Sequence, residues 1–181
     1  LPDKRLNKRL ETMFFHIAQK PTDPLTQAFD EPADVKGAYR LIENDRVKAL
    51  HLTRAFSLRA VREAQGRPVV LSVQDSSSLS FPSARATEGL GPVTNNDTPG
   101  LKMHTAMLLN EEGMPLELIT QDVWARPKET KKESQSRRKR APIEEKESFK
   151  WLKSMREQRQ YFQEIPADTR PRLYHIFDRE G

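Results

Sequence analysis

Two short apolar runs in this chain each end in an aspartate. The first is Val69-Val70-Leu71-Ser72-Val73-Gln74-Asp75, and the second is Leu173-Tyr174-His175-Ile176-Phe177-Asp178. Each is too short for a stable helix and rich in β-branched and aromatic residues, so each predicts a buried strand. A carboxylate at the end of such a strand is expensive unless something cationic meets it. Two on neighbouring strands would make a hard-cation site, because Mg²⁺ takes one or two carboxylates together with waters and phosphate oxygens. Asp also caps strands and starts turns, and Asp75-Ser76-Ser77-Ser78 fits an Asx or serine-rich turn as well.

What precedes the first run reads as helical. Apolar Leu6, Leu10, Met13, Phe14 and Ile17 make a helical stripe between Asp3 and Gln19, and Lys4, Arg5, Lys8 and Arg9 fall on the other side. Pro21 and Pro24 end that helix. A second stretch covers Ala33 to Glu43, and a third runs from Asp45, as N-cap, to Ala64, closed by Gly66. From Val69 the texture changes to strands. Ser76 to Pro99 is a loop rich in Ser, Gly, Pro and Asn. Met103 to Leu109 and Leu116 to Trp124 form a hairpin through Asn110-Glu111-Glu112-Gly113. A basic connection follows, then a helix from Ile143 to Phe162 with Trp151, Met155 and Phe162 on one face. Pro166 and Pro171 precede the last strand.

The order helices, strand, hairpin, helix, strand defines an α/β chain with a division near residue 66. Residues 1–66 make a helical bundle, and residues 67–181 make the opening of a ribonuclease H-like core that is incomplete at its C-terminal end. A helix between the hairpin and the returning strand suits a right-handed crossover. The last strand then lies parallel to the first, with Asp75 and Asp178 at adjacent strand ends. Ligands of open α/β sheets gather at the carboxyl ends of parallel strands.

Composition narrows the partners. The chain has 181 residues, 31% of them charged, and a net charge of +5, a balance that favours a polyanion without requiring one. It has no cysteine, which excludes disulfides and cysteine-ligated zinc and fits a cytosolic protein. No apolar stretch approaches the roughly 18 residues of a membrane span. The basic face of the first helix fits either a solvated surface or phosphate contacts. Arg126 to Arg140 holds eight Lys/Arg against two Glu, and reads either as a solvated insertion or as an electrostatic tether to DNA. His104 reads as a core histidine or one supporting the site rather than a metal ligand. Trp124 and Trp151 read as core, and Lys102 as a residue able to approach a phosphate.

Several segments resemble one family. Gln74-Asp75-Ser76-Ser77-Ser78-Leu79-Ser80-Phe81 resembles the first catalytic segment of bacterial DDE transposases of the insertion-sequence-4 family, the branch that includes the Tn-five transposase. Phe177-Asp178-Arg179-Glu180-Gly181 resembles the second. Gly37-Ala38-Tyr39-Arg40-Leu41-Ile42-Glu43-Asn44 is similar to the N-terminal DNA-binding signature, and Asp3 to Leu10 to the basic opening helix. Trp124-Ala125-Arg126-Pro127 and Glu145-Lys146-Glu147-Ser148 with Lys150-Trp151 are similar to segments before the second aspartate. The order and approximate spacing extend over nearly the whole chain.

The resemblance implies a transposase of mobile elements, cytoplasmic and nucleoid-associated, whose bundle binds double-stranded transposon-end DNA. Its core would hold Mg²⁺ or Mn²⁺ on an Asp, Asp, Glu triad and cleave and join phosphodiesters by a two-metal mechanism. Asp75 and Asp178 match the first two catalytic and metal-binding positions. Arg5, Lys8, Arg9 and Arg40 match DNA-binding positions, whereas Tyr39 is expected to pack in the bundle. The family's Lys-Tyr just after the first helix is replaced here by Gln19-Lys20. The third ligand of the family lies well beyond the second aspartate, and Glu180 follows too closely to stand for it. The chain by itself is therefore expected not to cut DNA, and the complete protein to act as a homodimer. A binding module that occupies transposon ends without cutting, a relic or inhibitor, is the alternative. Another ribonuclease H-like nuclease would leave the N-terminal signature unexplained.

Overall fold

The computed structural model of the chain describes residues 1, 3–94, 97–127 and 140–178. They form two compact units, Leu1–Leu52 and Thr53–Gly181. The packing thus divides the chain inside its fourth helix rather than after residue 66. Among the described residues no helix is long and apolar enough to cross a membrane.

The first unit is helical. Helix α1 spans Lys4–Gln19, α2 Leu25–Ala28 and α3 Pro32–Ile42. Asp3 caps α1, its Oδ1 accepting the Arg5 N–H at 2.8 Å. The helix ends before Pro21, whose ring disfavours helical geometry in the residue ahead of it. The single turn α2 was not expected from periodicity. It is held by the Pro24 carbonyl, which accepts N–H bonds from Gln27 and Ala28. Ala28, Phe29 and Ala38 are buried at the centre, with Met13, Ile17, Leu25 and Val35 packed around them. Two sequence expectations fail here. Tyr39 does not pack in the bundle but is 42% exposed. Asp45 does not cap the next helix. Instead the Asn44 side chain accepts the Arg46 N–H at 3.0 Å in an Asx turn, and α4 begins only at Ala49.

Helix α4, Ala49–Ala64, leads into the second unit, where Ser57, Ala60, Val61 and Ala64 are buried. That unit is a sheet of β1 (Val69–Ser80), β2 (Gly91–Pro92), β3 (Pro99–Leu109), β4 (Pro115–Trp124) and β5 (Arg172–Ile176). A 3₁₀ turn at Ile143–Glu145 precedes α5, Phe149–Gln163. The helix is therefore shorter at its start than the sequence pattern indicated. β3 lies antiparallel between β1 and β4, and β5 runs parallel to β1 on the opposite edge of β1, as the order of elements required. Ala60, Val61 and Ala64 of α4 and Phe162 of α5 pack with Ile165 against Val70, Ala106, Leu108 and Ile119 of the sheet. Polar pins cross the same layer. Ser57 Oγ donates to the Ile119 carbonyl at 2.6 Å, and Thr120 Oγ1 and Ser154 Oγ are 2.7 Å apart. On the other face Met107, Val123, Tyr174 and Ile176 are exposed.

β1 does not stop at Asp75. Its ladder with β3 continues from Asp75↔Thr105 to Ser80↔Gly100, so Ser76 to Ser80 is strand rather than loop. The serines stand where an apolar run would be expected, and main-chain pairing with β3 keeps them extended. Gly100 permits that close pairing, because a Cβ there would run into the Leu79 carbonyl.

Candidate functional site

The basic surface of the first unit begins with helix periodicity. Lys4, Arg5, Lys8 and Arg9 on α1 and Arg40 on α3 are all exposed. The two helices bring part of this set together. A Cβ built at Gly37 would lie 3.7 Å from the Arg9 side chain, so the Arg9 stem crosses α3 at its smallest residue. Arg40 follows Gly37 by three positions and shares that side of α3. Arg5 is turned partly toward Asp3, with Nη2 3.4 Å from Oδ2, and Arg46 approaches the same carboxylate at 3.8 Å. Such exposed pairs are worth little and release readily to a phosphate.

In the second unit the strands place the two aspartates. The parallel register runs from Val69↔Arg172 to Val73↔Ile176, and it ends two residues before Asp75 and Asp178, which an unbroken register would have paired. Phe177 and Asp178 themselves lie past the end of β5. Strand alternation puts Gln74 on the covered face, buried, and Asp75 on the open face, exposed. Asp178 is exposed too, and the Phe177 ring before it packs on Trp151 at 5.5 Å. Asp75 Oδ1 accepts the Ser76 N–H at 2.6 Å. A groove of 540 Å³ lies beside α5 and β5, lined by Arg156, Arg159, Arg170 and His175 among others, and neither aspartate lines it. An open carboxylate surface suits a polymer better than a small molecule, which needs a concave site. Among the described residues no three His, Cys, Asp or Glu gather to hold a metal. The two carboxylates fit a hard cation in kind.

Beneath Asp75, on the covered face, runs a hydrogen-bonded chain that the sequence did not reveal. Ser76 Oγ lies 2.9 Å from His104 Nδ1, His104 Nε2 3.2 Å from Gln74 Oε1, and Gln74 Nε2 3.2 Å from His175 Nδ1. His104 is buried, stacked edge-on against Trp151 at 4.5 Å, and acts as a core histidine. The available signal was parity: Gln74 follows Val70 and Ser72 at the buried positions of β1. Farther along, Arg126 grips Glu147 through four contacts of 2.7 to 3.1 Å, joining two of the quoted segments. Lys102, expected to approach a phosphate, donates to Ser78 Oγ at 2.7 Å. Trp151 is buried and Trp124 half-buried, as core residues. The basic connection falls largely on residues 128–139, which lie outside the described residues, as do residues 179–181.

Charge in this layer is sensitive to pH. Burial pushes the His104 ring below its usual value, with Lys150 acting the same way and Asp75 and Asp122 opposing it. Burial lowers His175 as well. Both rings stay neutral in the folded chain at pH values where the unfolded chain already binds protons. Their contribution to stability is complete above about pH 6.5 and is lost as pH falls from there through their lowered values. Burial raises the Glu157 carboxyl, which adds stability in the opposite sense, only at acid pH nearer the carboxylate range. The urea midpoint is expected to drop as pH falls from about 7.5 to about 5.5, less steeply in His175→Asn. Equal slopes in the two proteins would show that this ring does not report its burial.

Residues 1–47 match the family described as transposase DNA-binding. The match covers α1 to α3 and includes Arg5, Lys8, Arg9 and Arg40. It supports a transposase N-terminus and DNA as its partner.

Proposed function

We propose that this chain is the N-terminal portion of a DDE transposase of the insertion-sequence-4 family, which binds double-stranded transposon-end DNA. The observation that carries the reading is the match of residues 1–47 to transposase DNA-binding, on helices whose basic side chains share an exposed surface. In this reading Arg5, Lys8, Arg9 and Arg40 contact phosphates, which position the duplex without reading its sequence. The sheet of the second unit is the opening of a ribonuclease H-like core, and the parallel β1–β5 register supports it. Asp75 and Asp178 would hold Mg²⁺ or Mn²⁺, and ions bound there would activate water or a DNA 3′-hydroxyl for attack on a phosphodiester. In this reading the third member of the triad is a glutamate, and the enzyme works as a homodimer.

The DNA-binding half is tested by fluorescence anisotropy of the full chain on a mixed-sequence duplex over a salt series. Affinity is expected to fall steeply with salt, with each phosphate contact adding about 0.9 to the slope. Arg9→Ala with Arg40→Ala should lower that slope by about 2 and weaken binding uniformly across sequences. Affinity that holds steady between low and moderate salt would contradict the reading.

A further inference from the structure

We propose that Gln74, with His104 and His175, is a positioning device for the aspartate pair, a proposal that rests on reading Asp75 and Asp178 as cation ligands. The argument starts from a weakness in the sheet. β1 and β5 pair over only Val69–Val73 and Arg172–Ile176, so the ladder ends two residues before either aspartate. Beyond that point, among the described residues, β1 stays in register with β3. Nothing in the ladder fixes how far apart the two carboxylates stand, yet a cation shared between them demands a set separation.

The buried side-chain chain supplies the missing tie. Its groups come from three neighbouring strands: His104 from β3, Gln74 and Ser76 from β1, and His175 from β5. The Gln74–His175 bond at 3.2 Å ties Gln74, one residue past the β1 end of the ladder, back to His175, which is held within the β5 ladder opposite Ser72. Gln74 adjoins Asp75 in sequence and points the other way, so fixing its amide fixes the peptide from which Asp75 projects. The bonds also agree in direction. Gln74 Oε1 takes a proton from His104 Nε2–H, which leaves His104 Nδ1 to accept from the Ser76 hydroxyl. Gln74 Nε2–H then donates to a bare His175 Nδ1. One arrangement of neutral rings, both protonated at Nε2, accommodates all three bonds. A fully satisfied buried network specifies a single geometry, whereas a half-satisfied one is costly. Gln74 hydrogen-bonds to both rings. A hydrophobic side chain there would fill the space but leave the buried His104 without its partner and couple the two rings no longer.

Two measurements on the full chain test this. Ring-nitrogen NMR correlations should show both histidines neutral and protonated at Nε2, with both sets of signals displaced in Gln74→Met. Signals unchanged in that variant would overturn the network. Calorimetry with Mn²⁺ tests the positioning role through the more tolerant site, His175, which is half-buried. His175→Leu is expected to weaken Mn²⁺ binding about tenfold, in the range seen when the partners of ligating residues are removed. His175→Asn, whose Oδ1 can take the place of Nδ1 as acceptor, should restore most of that loss. A merely packing role would favour Leu over Asn, so equal affinity in the two variants, or the reverse ranking, overturns the proposal. Failure of the two-aspartate reading looks different: the parent then gives no Mn²⁺ heat, or Asp75→Asn gives the same heat as the parent, and the positioning role falls with it.

Discussion

Asp75→Asn is expected to abolish Mn²⁺ binding while leaving the fold intact. The substitution keeps the shape of the side chain and its Oδ1, which can still accept the Ser76 N–H that Asp75 accepts at 2.6 Å. The residue is exposed, and its place in β1 is held by main-chain pairing with Thr105. Stability should therefore move by no more than about 0.5 kcal/mol, as for ordinary surface changes. What disappears is a full negative charge, and a hard cation binds through charge above all. Calorimetric titration should return heats indistinguishable from dilution. Asp122→Asn is the matched control. Asp122 is a half-buried carboxylate of the same unit, but it already holds Lys153 at 2.5 Å and is no part of the pair. Removing it should spare Mn²⁺ binding and release Lys153, whose ammonium that bond pushes to a raised pKa. If both variants lose the heat equally, diffuse negative charge rather than a defined site holds the ion.

The strand order and the parallel return were legible because apolar runs and their connections constrain topology strongly. Val69 to Val73 is apolar at nearly every position and can only be a buried strand, and a helix between it and Leu173 makes a parallel return the natural solution. The reading failed where backbone pairing rather than side chains sets the structure. Ser76 to Ser80 carries Leu79 as its one apolar residue, yet five consecutive β1–β3 pairs hold it extended to Gly100. It failed again at Asp45, read as the cap of the third long helix: an Asx turn at Asn44 occupies that stretch, and α4 begins only at Ala49. Tyr39 sits beside the buried Ala38 but on the outer side of α3, a rotation that the short motif around it does not encode. At the candidate site the aspartates stood out because a carboxylate ending an apolar run is anomalous. The Ser76–His104–Gln74–His175 chain did not, since its members lie up to 101 residues apart and only the folded sheet aligns them.

Trp151→Ala is expected to be among the most damaging single changes in the second unit, destabilising it by about 3–5 kcal/mol. Trp151 is 6% exposed on α5 and sits where several layers meet. Its ring stands edge-on to His104 at 4.5 Å and an interplanar angle of 75°, and packs on Phe177 at 5.5 Å. The Lys150 ammonium lies 5.6 Å from the ring centroid, within cation–π reach. Removing so large a ring leaves a cavity that the strands are poorly able to close, because their positions are fixed by the ladder. A loss of this size is a large fraction of the roughly 5–15 kcal/mol that keeps an ordinary domain folded. Urea unfolding at neutral pH measures it. The comparison that gives the number meaning is Phe162→Ala, which removes another buried aromatic from α5 at 4% exposure and should cost about as much. Phe162 belongs to the main core cluster with Ile165 and Leu108. Trp151 instead contacts Phe177, the residue immediately before Asp178. Both variants lower stability, but under folding conditions only Trp151→Ala should also weaken Mn²⁺ binding, because it alone frees the chain that presents the second aspartate. Equal Mn²⁺ affinity in the two would mean that Phe177 is held in place by something other than this ring.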